Sequence, residues 1–231
     1  MILSINQPAY FPWLGYFERI ASSDVHIILD HVQFEKNSMT NRNKVKTSQG
    51  WAWLTVPVCS KGKFGDLSIS NLKISQDKKW KKKHWNTIRA AYLKTPFFNE
   101  HSEFFEAIYS KEWDKLEPLM NEITNYLLDA LSISTKIIRS SELDPKESKS
   151  ELILELCKKA GATTYLSGPF GRDYLDLIQF QEHGIDLQFQ DYQHPTYKQM
   201  HGEFLPYMST IDLLFNEGSK SLDILTGGLK K

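Results

Sequence analysis

Cysteine is scarce in this chain: Cys59 and Cys157 are the only two among 231 residues, and they lie far apart. That excludes a disulfide framework and a cysteine zinc site, and it predicts a reducing, cytoplasmic location. No apolar run approaches the roughly 18 residues of a membrane-spanning helix, and no basic start is followed by an apolar stretch of signal length. Neither membrane insertion nor export is expected. Net charge is zero, with 28 Lys plus Arg against 28 Asp plus Glu, so no bulk attraction to nucleic acid or an anionic membrane exists. Metal spacings of the H-E-x-x-H kind are missing, and Ser167 lacks the G-x-S-x-G frame of a nucleophile elbow. No metal site is expected. What the chain does have is aromatic residues, 13% of the total with six Trp, and these serve cores or stack on sugars and bases.

Two short apolar runs, 2–5 and 25–29, lack alternation, as strands covered on both faces do. A helix is expected between them at 13–21. Residues 44–58 read as a hairpin turning at Ser48-Gln49-Gly50, and 67–74 as another short strand. Three amphipathic helices follow at 77–93, 97–109 and 113–131, burying Trp80, His84, Ile88, Ala91, Phe104, Phe105, Ile108, Ile123, Leu127 and Leu131. The strand–helix alternation then returns: strand 135–138, helix 148–160 stopping at Gly161, strand 163–167, helix 172–181, strand 185–190 and a helix around 208–215. Residues 227–231 read as a frayed tail. Strands separated by helices of about 10–15 residues require crossovers. The expected fold is a single α/β domain over 1–231. It is built on a Rossmann-like, mostly parallel sheet with a β-hairpin and a helical insert at about 77–132.

Four segments concentrate chemistry where strands of such a sheet end, the usual place for ligands. Asn6, Gln7 and Pro8, with Tyr10, Trp13 and Tyr16, put two amides and several rings after the first strand. Phe11-Pro12-Trp13-Leu14-Gly15-Tyr16 also echoes the F-P-x-x-G-H turn of nucleotidyltransferases, with tyrosine where those enzymes carry histidine; packing is the competing reading for Trp13. Asp30, Gln33, Asn41, Arg42 and Lys46 follow the second strand. The carboxylate is suited to orienting a hydroxyl or ammonium, and the two cations to holding phosphate. A solvated turn with an Asp30–Arg42 pair is the alternative. Ser167, Gly168, Gly171 and Arg172 form a glycine turn into a helix that would cradle an anion, or simply let the strand turn tightly. His194, in a proline loop beside Tyr197, is the best general-base position. Ser209-Thr210-Ile211-Asp212 reads as a helix start, His26 as a packed core histidine, and the lysines at 78–83 as a solvated helix face.

Several of these motifs, in this order, resemble the WbqC-like family of bacterial O-antigen and surface-polysaccharide gene clusters. They are Gln7-Pro8-Ala9-Tyr10-Phe11-Pro12-Trp13-Leu14-Gly15-Tyr16-Phe17, Asp30-His31-Val32-Gln33-Phe34, Asn41-Arg42-Asn43-Lys44, Trp51 to Val58, Tyr165-Leu166-Ser167-Gly168, His194-Pro195-Thr196-Tyr197 and Ile211 to Gly218. The family carries histidine before Gln-Pro, where this chain has Asn6. The resemblance implies a cytoplasmic transferase of lipopolysaccharide O-antigen biosynthesis that N-acylates or aminoacylates a nucleotide-linked amino sugar. Phosphate would be held by Arg42, Lys46, Ser167, Gly168 and Arg172, and the base or sugar stacked by Tyr10, Trp13 and Trp53. His194 or Asp30 would take the amine proton, with Asn6 or Gln7 at the oxyanion. No cofactor is required; the acyl donor is open, with a thioester and an acyl-carrier protein among the candidates. An ATP-dependent ligase or nucleotidyltransferase, and a non-catalytic sugar-nucleotide-binding or scaffold protein, are the alternatives.

Overall fold

A computed structural model of the chain describes residues 1–60, 62 and 67–228. Strand β1 (Ile2–Asn6) and strand β2 (Val25–Ile28) are joined by helix α1 (Leu14–Ala21) and pair in parallel, Leu3 opposite Val25 and Asn6 opposite Ile28. Period-two geometry divides their side chains between the faces. Leu3, Ile5, Val25 and Ile27 face a core that includes Leu152, Leu156 and Phe180, while Ser4 bonds His26 and Ser23 on the other side.

After β2 the chain leaves the sheet until residue 136. It forms an antiparallel hairpin, β3 (Arg42–Thr47) and β4 (Gly50–Thr55), then helices α2 (Lys79–Tyr92), α3 (Phe98–Ser110) and α4 (Leu116–Ala130). These pack with α1 around one apolar cluster that includes Phe17, Val45, Ile88, Phe105 and Leu127. Strand β5 (Lys136–Arg139) then returns beside β2. Helix α5 (Lys149–Ala160) ends where Gly161 takes a φ of 71°, a conformation that costs other residues a Cβ clash. Strand β6 (Thr164–Ser167) lies on the opposite side of β1; helix α6 (Leu177–Glu182) and edge strand β7 (Asp186–Phe189) follow. The sheet order is β5-β2-β1-β6-β7, every pairing parallel. A long loop leads to α7 (Thr210–Glu217) and α8 (Ser221–Thr226).

The expected mixed α/β fold, with a parallel sheet interleaved with helices and a separate hairpin, is therefore present. Four local readings differ. Residues 67–74 form a single 3₁₀ turn at Ile69–Asn71 flanked by isolated bridges, because Ser68 and Lys73 pair with Gln33 and Lys115 rather than with one continuous partner. The helix expected at 172–181 is split into a 3₁₀ turn at Pro169–Asp173 and α6, which starts only where Asp176 caps the N–H groups of Ile178 and Gln179. Helix α8, unanticipated from sequence, ends at Gly227; the tail reading at 229–231 lies outside the described residues. Phe104 is only partly buried, stacked on Tyr126 with ring centroids 3.6 Å apart.

Candidate functional site

The chain leaves β1 toward β2 and leaves β6 toward β7, so the loops after these two adjacent strands part in opposite directions. Between them lies a cleft of about 320 Å³. The end of β1 supplies Asn6 and Gln7, the residue before α1 supplies Trp13 and α1 itself Arg19, and the end of β6 and the turn after it supply Ser167, Gly168 and Gly171. Phe170 and Tyr174, both exposed, also line it.

Asn6 is buried and its Nδ2 has no hydrogen-bond partner. A buried donor left unmade costs about 1–3 kcal/mol, so the amide is poised for an acceptor that the protein itself does not supply. Ser167 is buried and donates to the Gly168 carbonyl at 3.1 Å. Its hydroxyl is tolerated only because residue 171 is glycine: a Cβ there would stand 2.0 Å from the Ser167 Oγ. Arg19 was missed from sequence. Its Nε is buried without a partner, and burial lowers the guanidinium pKa from its usual value. The available signal was spacing: Arg19 is one turn after Gly15, hence on the same face of α1.

The Trp13 ring lies over Gly15 at the first turn of α1, so close that a Cβ on Gly15 would meet it at 2.3 Å. Tyr192 and Tyr207 hold the ring from behind, with centroids 5.5 and 5.7 Å away. Gly15→Ala should displace this wall, at an overpacking cost of about 1–3 kcal/mol. The expected result is a melting temperature lowered by a few degrees, read by thermal unfolding, with weaker ligand affinity, read by calorimetric titration.

His194 does not line the cleft but sits behind Trp13, ringed by Tyr192, Phe204 and Tyr207. Its Nδ1 lies 2.8 Å from the Pro195 carbonyl and its Nε2 accepts the Tyr207 N–H at 3.1 Å. Burial lowers its pKa. The ring is thus a neutral imidazole with both nitrogens engaged by backbone. Among the described residues, no group of three His, Cys, Asp or Glu is arranged to hold a metal ion.

Every one of these segments except Asn6 lies within residues 7–224, which match the WbqC-like protein family. The chain belongs to that family. It is 38% identical over 225 residues, 96% of each chain, to Rv1507c of Mycobacterium tuberculosis, a protein described as uncharacterized. No solved structure matches it.

In this WbqC-like protein the other sequence-selected residues lie outside the cleft. Tyr10 is wholly buried, its hydroxyl 3.0 Å from His84 Nδ1 and 2.6 Å from the Tyr109 hydroxyl; Tyr16 is buried against Phe17 and His26. Asp30 is buried and accepts from the Ser140 and Ser141 hydroxyls and the Ser141 N–H, joining the ends of β2 and β5 rather than pairing with Arg42. Gln33 bonds the backbone of Phe34 and of distant Leu67, and Asn41 donates to the Val56 carbonyl just after β4. Arg42 donates to the Asn37 carbonyl and lies 4.5 Å over Trp53 on the hairpin. Lys46 is buried, donating to Gln199 and to the Glu203 carbonyl. Tyr197 donates to buried Asp212, and Arg172 covers Phe189 at 4.2 Å. The structure therefore collects Asn6, Gln7, Trp13, Ser167, Gly168 and Gly171 at one place and distributes the rest.

Proposed function

We propose that this WbqC-like protein binds a nucleotide-linked amino sugar in the cleft between β1 and β6 and N-acylates or aminoacylates its amine, within surface-glycan biosynthesis. The observation that carries this reading is the unpartnered Asn6 amide, facing a glycine turn across a cleft at the point where the connections after adjacent strands part to opposite sides. A sugar diphosphate, rich in acceptors and flat at its base, matches the donors and the Trp13, Phe170 and Tyr174 rings that line the same cleft.

In the reaction the neutral amine attacks the donor's acyl carbon. The C–N bond forms, the carbon–sulfur bond of a thioester breaks, and the proton passes to the departing thiolate. That balance does not require a protein base, in keeping with the engaged nitrogens of His194 and the occupied oxygens of Asp30. Gln7, beside Asn6 at the end of β1, is the donor for the developing oxyanion, and holding the two substrates together supplies much of the rate. Those same engaged groups favour a second reading, in which the protein binds the nucleotide sugar without chemistry. A nucleotidyltransferase reading draws less support, because Trp13 covers the first turn of α1.

The test is incubation of purified protein with UDP-, GDP- and dTDP-amino sugars and acyl thioesters, read by mass spectrometry. The expected outcome is an N-acylated sugar nucleotide, formed about 100-fold more slowly by Gln7→Ala. Binding of a sugar nucleotide with no product across the panel would establish the second reading. Product only with ATP and magnesium would establish a ligase.

A further inference from the structure

We infer that Arg19 is the anion anchor of this protein, seating a phosphoryl group in the cleft together with the Asn6 amide. The inference uses the cleft of the proposed function but not its chemistry.

Arg19 is a cation without a counter-ion. Among the described residues it takes part in no ion pair, and its Nε is buried with no acceptor. Its surroundings are the phenols of Tyr16, Tyr165 and Tyr174. The neighbouring acid, Glu18, is already bonded by the Ser22 hydroxyl and the Gln190 amide. For a half-buried guanidinium, a buried N–H with no acceptor has lost its hydration with nothing in the protein to replace it. The guanidinium also occupies space kept for it: a Cβ on Gly168 would stand 2.1 Å from the Arg19 Nη1. Only glycine at the first position after β6 admits the fork there.

The donors come from separate walls, Asn6 from the end of β1 and Arg19 from α1. An acceptor serving both needs oxygens pointing in different directions, which a tetrahedral phosphoryl group has and a planar carboxylate lacks. Arginine's fixed fork matches phosphate oxygens in pairs.

Pyrophosphate, with malonate as the carboxylate control, is the probe, and titration calorimetry and thermal unfolding are the readouts. Wild-type protein should bind pyrophosphate in preference to malonate. Arg19→Gln should bind it at least tenfold more weakly, with an empty-state melting temperature equal to or above wild type, since an uncompensated charge has been removed. Gly168→Ala, which only needs the flexible end of Arg19 to move, should lose the same affinity while keeping the arginine. Pyrophosphate affinity within twofold of wild type in either folded variant overturns the inference, as does preference for malonate or no response in the wild type. The two proposals fail separately. Arg19-dependent pyrophosphate binding without acyl transfer defeats only the reaction, and a sugar nucleotide acylated equally well by Arg19→Gln defeats only the anchor.

Discussion

Asp212→Ala should lower the melting temperature by about 10 °C, the largest effect expected from any single substitution outside the apolar core. Asp212 is completely buried on α7 and its carboxylate gathers three donors: the Tyr92 hydroxyl at 2.9 Å, the Tyr197 hydroxyl at 2.8 Å and the Gln199 amide at 2.7 Å. Gln199 in turn accepts from Lys46, and the Tyr92 hydroxyl accepts the Lys46 N–H. One side chain thereby joins α2, the hairpin, the loop after β7 and α7. Removing it strands two buried phenols, an amide and a buried lysine, and breaking such a charged network costs about 3–5 kcal/mol. For a chain of this size each kcal/mol is worth roughly 2–4 °C. Burial outweighs the donors and raises the Asp212 carboxyl pKa above its ordinary value, so the charge itself is not what stabilises the fold. Asp212→Asn keeps the shape and one acceptor, and its loss should be less than half that of alanine. Thermal unfolding of both variants at pH 7 decides the matter: equal losses would mean that the charge, not the bonding pattern, holds the loop.

This network explains which parts of the molecule were legible in the sequence. The strands at 2–6 and 25–28 were, because unbroken apolar runs have few other uses, and so was the parallel sheet, because helices separate most of its strands. Sheet topology alone brings Asn6 and Gln7 beside Ser167 and Gly168, so strand ends read from sequence were enough to assemble that cleft. Motif density misled elsewhere. Tyr10, Asp30 and Lys46 look like ligand groups until partners 99, 110 and 153 residues away come into place. Those partners satisfy the protein, and no local pattern announces them. Arg19 shows the reverse. An arginine in an amphipathic helix reads as surface, and only the absence of a partner in the folded chain gives it meaning.

Mild acid should destabilise the protein through two histidines that the fold keeps neutral. His26, wholly buried in β2, bonds Ser4 at 2.8 Å and leaves Nε2 unpartnered; burial and the nearby Arg19 lower its pKa to about 3. His84, buried on α2, meets the Tyr10 hydroxyl at 3.0 Å, and burial lowers its pKa to about 3 as well. In the unfolded chain both take up a proton near pH 6.5, while the native rings do not until about pH 3. Their stabilising contribution is therefore complete above pH 6.5 and lost as pH falls toward 3, at about 1.4 kcal/mol per unit for each ring. By pH 5 the pair removes about 4 kcal/mol, a large share of the stability of an ordinary domain. Glu155, held by Lys159 and two backbone N–H groups at a pKa of about 2, loses its own contribution only at lower pH than this window. Urea unfolding at pH 7, 6 and 5 should show this slope. His84→Gln, which retains a hydrogen-bonding partner for Tyr10, should remove about half of it. A stability flat from pH 7 to 5 would mean that protonated imidazole is accommodated at these sites, and with it that the Ser4–His26 layer beneath Arg19 is open to water.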